Sequence, residues 1–292
     1  MRDFEILFDH GESSDRLDPV YPPYGKLGFP QPPPDRPWIY SNFVQTLDGV
    51  VSLLGKDASG AAISQSEEDR WLMDLLRAHA DGILIGVGTL ELETRLQRPR
   101  PRGPVFRIVE RELRQLREKL HKKRECNIFV TGSGRLSLSN HAVFDGDKLD
   151  TIVITSEQGF HSLRSQRVTH PHVEIIIAGR DSIDLAEAMR ILHKRFEMRY
   201  VLCEGGPMVH GAMLRAGLID EKFLTISPFE AGQMVPTDER IAGAPPLENV
   251  RPSTMTGEGF SGETMARWTW LSCRKCGDHQ FHRFRRKVAE HP

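Results

Sequence analysis

The chain has 292 residues, 39% of them hydrophobic, with a formal net charge of −1 and a pI of about 6.9. That length suffices for one large core or two small ones, and the near-neutral balance supplies no global field for nucleic acid or membrane. No apolar run reaches the roughly 18–20 residues of a bilayer span, the acidic start "MRDFEILFDHGESSD" is unlike a signal peptide, and four cysteines make no disulfide framework in so long a chain, so a soluble, cytoplasmic protein is expected.

Proline is concentrated in residues 11–37, where "DPVYPPYGKLGFPQPPPDRP" cannot be helix and is poor sheet. Residues 1–35 therefore read as a proline-rich arm and 36–292 as one domain. "WIYSNFVQTLDGVVSLLG" reads as two strands around the turn-like Leu47-Asp48-Gly49. "SEEDRWLMDLLRAHAD" is a helix capped by Ser66, with Trp71, Leu72, Leu75 and Leu76 on its apolar face. "GILIGVGT" is a buried strand entering a glycine turn. In "VFRIVERELRQLREKL" the apolar residues Phe106, Val109, Leu113, Leu116 and Leu120 predict an amphipathic helix. "CNIFVTGSG", "DTIVITSE" and "VEIIIAG" are three further strands. A helix over Leu185, Met189, Leu192 and Phe196 follows, with Asp184 and Glu187 at capping-box spacing.

"YVLCEGGPMVHGAMLRAGLID" comes next. Val201, Leu202 and Cys203 make a short buried strand, Pro207 suits a first helical turn and Gly217 the position past the end. A helix N-terminus offers free N–H groups and partial positive charge, and two glycines keep side chains out of a ligand's way. A phosphate or pyrophosphate suits this geometry; a tight turn with no ligand is the alternative. "EKFLTISPF" is a strand, residues 229–262 are loop-rich, and "MARWTWLSC" with "HQFHRFRRK" form a terminal hairpin. Alternating strands and helices predict an α/β fold with a mostly parallel sheet flanked by helices and a C-terminal antiparallel hairpin.

Three strands end in glycine turns, at Gly86-Val87-Gly88-Thr89, Thr131-Gly132-Ser133-Gly134 and Glu204-Gly205-Gly206-Pro207. Together they suit an extended ligand with several phosphates beyond the strands' carboxyl ends. Neither G-x-G-x-x-G nor G-x-x-x-x-G-K-[ST] is present.

"RPWIYSNFVQTLDG", "ADGILIGVGT" and "YVLCEGGPMVHGAMLRAGLIDEKFLTISP" resemble, in matching order, the reductase domain of riboflavin biosynthesis, within the dihydrofolate-reductase-like superfamily. The resemblance implies NADPH-dependent reduction of a phosphoribosylamino-pyrimidine, ribosyl to ribityl. The ribosylamine opens to an imine at C1′, hydride adds to that carbon and a proton to nitrogen. By position, Gly86, Gly88 and Thr89 match a cofactor-contacting turn. Thr131, Gly132, Ser133 and Arg135 lie where the adenosine end and its 2′-phosphate would be held. Gly205, Gly206, Pro207 and Met208 match the turn against the cofactor phosphates, and Thr46 and Asp48 a turn beside the nicotinamide. Asn42 sits where relatives carry a polar or basic residue facing the substrate; Ser64, Ser66 and Arg70 are candidate substrate-phosphate contacts. Glu93, Glu204 and Asp48 are the candidate catalytic carboxylates, although Asp48 and Glu204 also suit plain structural roles and Glu93 equally suits a plain exposed helix position. Relatives often carry Asp-Asp-Pro where "GVGTLELETRLQRP" places Glu93 and Thr94, and the phosphate-segment tryptophan is missing from "ASGAAISQS". The zinc deaminase motifs often fused to this domain are absent, which reads as a stand-alone reductase. A homodimer is expected by resemblance.

Two signals compete. Cys273 and Cys276, with His279 and His282, have zinc-ligand spacing, but a hairpin tip explains them and no metal is expected. Residues 95–124 hold twelve Lys/Arg against three acids, and 267–287 seven against one. Such patches suit nucleic acid, or a solvated face that attracts phosphorylated ligands. A non-catalytic nucleotide- or nucleic-acid-binding protein on this fold, or a reductase of a pterin, are thus the alternative readings.

Overall fold

The computed structural model describes residues 3–11, 21, 24–53, 57–96, 102–146, 149–166, 170–232 and 251–287. Ten strands make one sheet: β1 (Glu5–Asp9), β2 (Trp38–Gln45), β3 (Gly82–Gly86), β4 (Cys126–Val130), β5 (Asp150–Thr155), β6 (Glu174–Ile177), β7 (Tyr200–Cys203), β8 (Glu221–Ile226), β9 (Trp268–Cys276) and β10 (His279–Arg286). Their order is β1-β9-β10-β8-β2-β7-β3-β4-β5-β6. From β8 to β6 all neighbours are parallel. The β9–β10 hairpin pairs antiparallel with β8 on one side and β1 on the other. This is the α/β fold with a terminal antiparallel hairpin that the alternation of elements predicts.

The helices are α1 (Gly60–Ser64), α2 (Glu67–His79), α3 (Val87–Leu96), α4 (Arg111–Lys119), α5 (Glu157–Leu163), α6 (Leu185–Phe196) and α7 (Pro207–Arg215). Parallel strands covered on both faces need apolar residues on both, and β3, "GILIG", is buried throughout. Leu84 joins the core under α6 and α7, with Met189, Leu192 and Met213. Ile83 and Ile85 face the opposite side, with Leu90 and Phe129. Alternation along one strand thus feeds two cores. The Ser66 hydroxyl caps α2 by accepting from Asp69 N at 3.2 Å, and Asp184 caps α6 by accepting from Glu187 N at 2.9 Å, as the sequence predicts.

Four expectations change. Residues 50–53 form no second strand: after β2 the chain turns tightly, Thr46 N donating to Val50 O and Gly49 N to Thr46 O. The helix expected from Phe106 begins only at Arg111. Before it the backbone is captured by distant side chains. Asn127 brackets Phe106, Glu125 accepts from Ile108 N, and Asp74 Oδ2 accepts from both Val109 N and Glu110 N at 2.7 and 2.9 Å. These tertiary bonds outweigh the periodicity, and Val109 is 70% exposed. The helix α5 was hidden between two strands. In the arm, Phe4, Tyr24, Leu27 and Phe29 are buried in the cluster around Trp71, and Glu5–Asp9 forms β1.

The basic stretches are partly buried and partly spent on exposed ion pairs. Arg274 is buried, bonding Tyr24 O and Asp9; Arg283 and Arg285 share Glu221. Arg117 is buried on backbone carbonyls, while Arg102, Lys122, Lys123 and Arg124 pair with Asp145, Asp81, Glu197 and Asp150. Cys273 and Cys276 lie three apart on β9 and so face opposite sides of the strand. The ring of His279 lies 2.8 Å from Ser64 O. Among the described residues no helix is long and apolar enough to cross a membrane.

Candidate active site

One cleft of about 1560 Å³ opens beyond the carboxyl ends of β3, β4 and β7. All three glycine turns reach it, through Gly86, Gly88 and Thr89, through Thr131, Gly132, Ser133 and Arg135, and through Gly206, Pro207 and Met208. Asn42, Ser64, Ser66, Arg70, Glu93 and Glu204 line it too. Thr46, Asp48 and Gly205 do not appear on its wall.

The turns are tied to one another. Thr89 Oγ1 accepts from Gly206 N at 3.1 Å, joining the start of α3 to the start of α7. Thr131 Oγ1 accepts from Gly134 N at 3.1 Å. The Ser156 hydroxyl, which caps α5, also reaches Gly132 O at 3.3 Å. The glycines are required for different reasons. A Cβ on Gly205 would stand 2.9 Å from Gly86 N, and one on Gly206 would stand 2.6 Å from Thr89 Oγ1. At Gly88 and Gly132 a Cβ would meet nothing within 4 Å. The first pair serves close packing of the turns. The second pair leaves open cradles in the cleft wall, at helix ends or turns whose N–H groups suit phosphate. The residues present therefore fit a dinucleotide lying across the three turns.

The carboxylates differ. Glu204, its side chain 10% exposed, pairs bidentately with Arg77 of α2, Nε–Oε1 and Nη2–Oε2 both 2.7 Å. Arg77 Nη1 also donates to Arg107 O at 2.9 Å. Burial acts to lower the Arg77 pKa, but Glu204 and Asp74 overcome it and hold the guanidinium above its ordinary value. Asp48 sits outside the cleft. It accepts from the Thr46 hydroxyl and from Ala231 N and Gly232 N at 3.1 and 2.7 Å, and the Thr46 bond leads in lowering its pKa. It pins residues 231–232 to the turn after β2. Glu93 lines the cleft from α3, has no bonded partner among the described residues, and its pKa is raised by burial.

Ser66 spends its hydroxyl on the α2 cap, and Ser64 Oγ accepts from Ser66 N at 3.3 Å. Asn42 Oδ1 is buried without a hydrogen-bond partner among the described residues. Three guanidiniums on the wall, Arg70, Arg107 and Arg135, have no carboxylate partner among the described residues. Sequence reasoning missed Asp69, Arg77 and Arg107. Asp69 was hidden in a run of first-turn acids, and Arg77 looked like an ordinary basic residue at a helix C-terminus.

The model of the RibD C-terminal domain family matches residues 37–256. The chain belongs to that family. It is accordingly an oxidoreductase that uses a nicotinamide cofactor, a pyrimidine reductase of riboflavin biosynthesis. It is 26% identical over 205 residues to the 2,5-diamino-6-ribosylamino-4(3H)-pyrimidinone 5′-phosphate reductase of Archaeoglobus fulgidus, covering 69% of this chain and 85% of that one. The reductase of the same name from Methanothermobacter thermautotrophicus is 27% identical, with 68% and 80% covered. A pyrimidine reductase-like protein from Corynebacterium diphtheriae shares the fold at a TM-score of 0.62 and 23% identity, over 87% of this chain and 93% of that one. The chain spans 48% of the matched RibD of Aquifex aeolicus and 59% of that of Acinetobacter baumannii.

Proposed function

We propose that this protein reduces a 5′-phosphorylated ribosylamino-pyrimidine to its ribityl form with NADPH. One observation carries the reading: one cleft combines three glycine turns with three arginines that have no carboxylate partner among the described residues and a half-buried carboxylate, Glu93. The bound cofactor would supply hydride. Gly88 and Gly132 would admit its phosphates, and Arg135, beside the second turn, would meet a 2′-phosphate and favour NADPH over NADH. Arg70 and Arg107 would hold the substrate phosphate. Glu93, kept protonated to higher pH by burial, would give the proton that the opened imine nitrogen needs. Glu204, locked to Arg77, positions the turn at the start of α7.

The names of the archaeal relatives support the diaminopyrimidinone, the form before deamination, as the substrate. A homodimer accompanies this reading. The test is NADPH oxidation in the presence of 2,5-diamino-6-ribosylamino-4(3H)-pyrimidinone 5′-phosphate, with product identified by mass. Turnover with a two-hydrogen mass gain is expected. Absence of turnover with this substrate and with its uracil counterpart sinks the proposal.

A further inference from the structure

Glu93 stands in the last turn of a short helix, and the contact that holds that turn is polar. Along α3, Thr89, Leu92, Glu93 and Leu96 line the cleft, at the i, i+3, i+4, i+7 spacing of one helix face. Of its ten residues α3 buries Val87 and Leu90, both near its start. So short a helix is marginal without tertiary packing, and a fixed direction for Glu93 needs a second anchor further along. Thr94 supplies it. It lies four residues after Leu90, on the face that Leu90 turns to the core.

Thr94 Oγ1 lies 2.6 Å from Leu90 O and 3.2 Å from His141 Nδ1. A hydroxyl has one proton to give, and here it goes to Leu90 O. The His141 ring must therefore donate from Nδ1 to Thr94 Oγ1, which fixes its tautomer. His141 is 6% exposed, and burial leads in lowering its pKa, which keeps the ring neutral. Gly103 closes on the same hydroxyl: its φ is +73°, and a Cβ there would collide with Thr94 Oγ1. Next to it, Arg102 O accepts from Ala142 N at 2.7 Å, and the Arg102 guanidinium pairs with Asp145. Residues 102–103 and 141–145 thus bracket Thr94 and lead the chain to the cleft wall at Pro104.

We propose that Thr94, held by His141, is the positioning residue that aims Glu93 at the opened imine. The inference rests on Glu93 as the proton donor and deepens that reading. Neighbouring residues of an α-helix stand about 100° apart around its axis, so tying Thr94 back to His141 sets Glu93 toward the cleft. Neither Thr94 nor His141 lines the cleft; both act through the helix. Proton transfer needs heavy atoms within about 2.6–3.2 Å, and a misplacement of 1 Å can cost about hundredfold in rate.

The experiment is steady-state NADPH oxidation with the diaminopyrimidinone substrate. Wild type is compared with Thr94→Val, Thr94→Ser and His141→Phe, each also combined with Glu93→Gln. Thr94→Val keeps the side chain's size without the hydroxyl, and His141→Phe keeps a ring without the donor. Each should lower kcat about tenfold, less than Glu93→Gln itself, with the KM for NADPH unchanged. Thr94→Ser keeps the hydroxyl and should recover most of the wild-type kcat. On the Glu93→Gln background the same losses should shrink to less than about twofold, because no proton remains to be aimed. Equal losses in both backgrounds would mark a structural role and overturn the inference. So would a wild-type kcat in Thr94→Val, or a Thr94→Ser as slow as Thr94→Val. Where Thr94→Val does not fold, His141→Phe in the two backgrounds decides. A Glu93→Gln enzyme with wild-type kcat overturns the Glu93 assignment and this inference with it, while leaving the reductase reading in place.

Discussion

Glu204 and Arg77, 127 residues apart in the chain, form a fork-to-fork pair with both oxygens within 2.7 Å of guanidinium nitrogens. The side chains are 10% and 7% exposed. A carboxylate that accepts twice from one guanidinium has no proton to give while the pair stands. The pair instead clamps the exit of β7 to α2, and through Arg107 O to the 104–109 wall of the cleft. Truncating one partner strands a buried charge, which costs about 3–5 kcal/mol. Glu204→Leu and Arg77→Met should each lose that much in urea unfolding, and the double variant should lose clearly less than their sum. Additive losses would show that the pair does not couple.

Four of the glycines that reach or brace the cleft should separate by what an added side chain meets. Gly132→Val and Gly88→Val project into open space, so both should fold with near wild-type midpoints and bind NADPH at least about tenfold more weakly. Gly205→Ala drives its Cβ onto the β3 backbone, 2.9 Å from Gly86 N, and should cost about 1–3 kcal/mol, as overpacking does. Gly206→Val strikes Thr89 Oγ1 and breaks the bond between two turns, so it should lose stability and affinity together. Thermal melts with and without NADPH read both quantities. Full cofactor affinity in Gly132→Val would remove the second turn from the cofactor site.

Why some of this was legible and some not follows from the range of the interactions. Ser66 and Asp184 announce their helices because a cap acts within three residues. The glycine turns announce themselves because a side chain would either clash, as at Gly205 and Gly206, or fill a cradle, as at Gly88 and Gly132. The irregular run 106–109 was unreadable, since its backbone partners Asp74, Asn127 and Glu125 come from elsewhere in the chain and override the periodicity. Asp48 matched a motif in sequence, but its two backbone donors at 231–232 give it a local duty. Chemical type alone cannot separate Glu93 from Glu204. Only the presence of Arg77 beside one, and of none beside the other, does so.

Stability should depend on pH through groups that burial holds neutral. Burial lowers the pKa of His210 to about 4 and of His79 to about 3. An unfolded histidine binds its proton below about 6.5. Between those values and 6.5 the unfolded chain therefore holds more protons, so stability falls as the pH drops through that window. Burial lowers Lys222 to about 8. From there to about 10.5 the unfolded state again holds the extra proton, and this group's contribution makes stability rise with pH. His210→Asn retains a donor for Thr254 O, 2.7 Å from the ring, and should flatten the acid limb. Lys222→Met should flatten the alkaline one. Urea midpoints at intervals from pH 4 to 10 decide it, and slopes identical to wild type in both variants would refute the assignment.

Glu93 decides whether the cleft performs chemistry. It stands on α3, two turns from the glycine turn that opens that helix, faces the same cleft, and has no bonded partner among the described residues. Burial raises its pKa, so the carboxyl keeps its proton to higher pH than an exposed glutamate, as an acid for the imine nitrogen requires. Turnover limited by this proton should fall as pH rises through the raised value, since the active form is the protonated one. Glu93→Gln preserves size and removes the titratable proton. It should lower kcat by roughly 10²-fold, the lower bound for general acid–base help, abolish that alkaline limb, and leave NADPH affinity nearly unchanged. Glu93→Asp keeps a carboxyl one methylene shorter and should retain more activity than Glu93→Gln. Stopped-flow NADPH oxidation across pH, with cofactor affinity from fluorescence, measures all three. A Glu93→Gln enzyme with wild-type kcat and an intact pH profile would place the proton donor elsewhere. Since Glu204 is held in its pair by Arg77, the donor would then have to be solvent admitted to the cleft or a hydroxyl of the substrate itself.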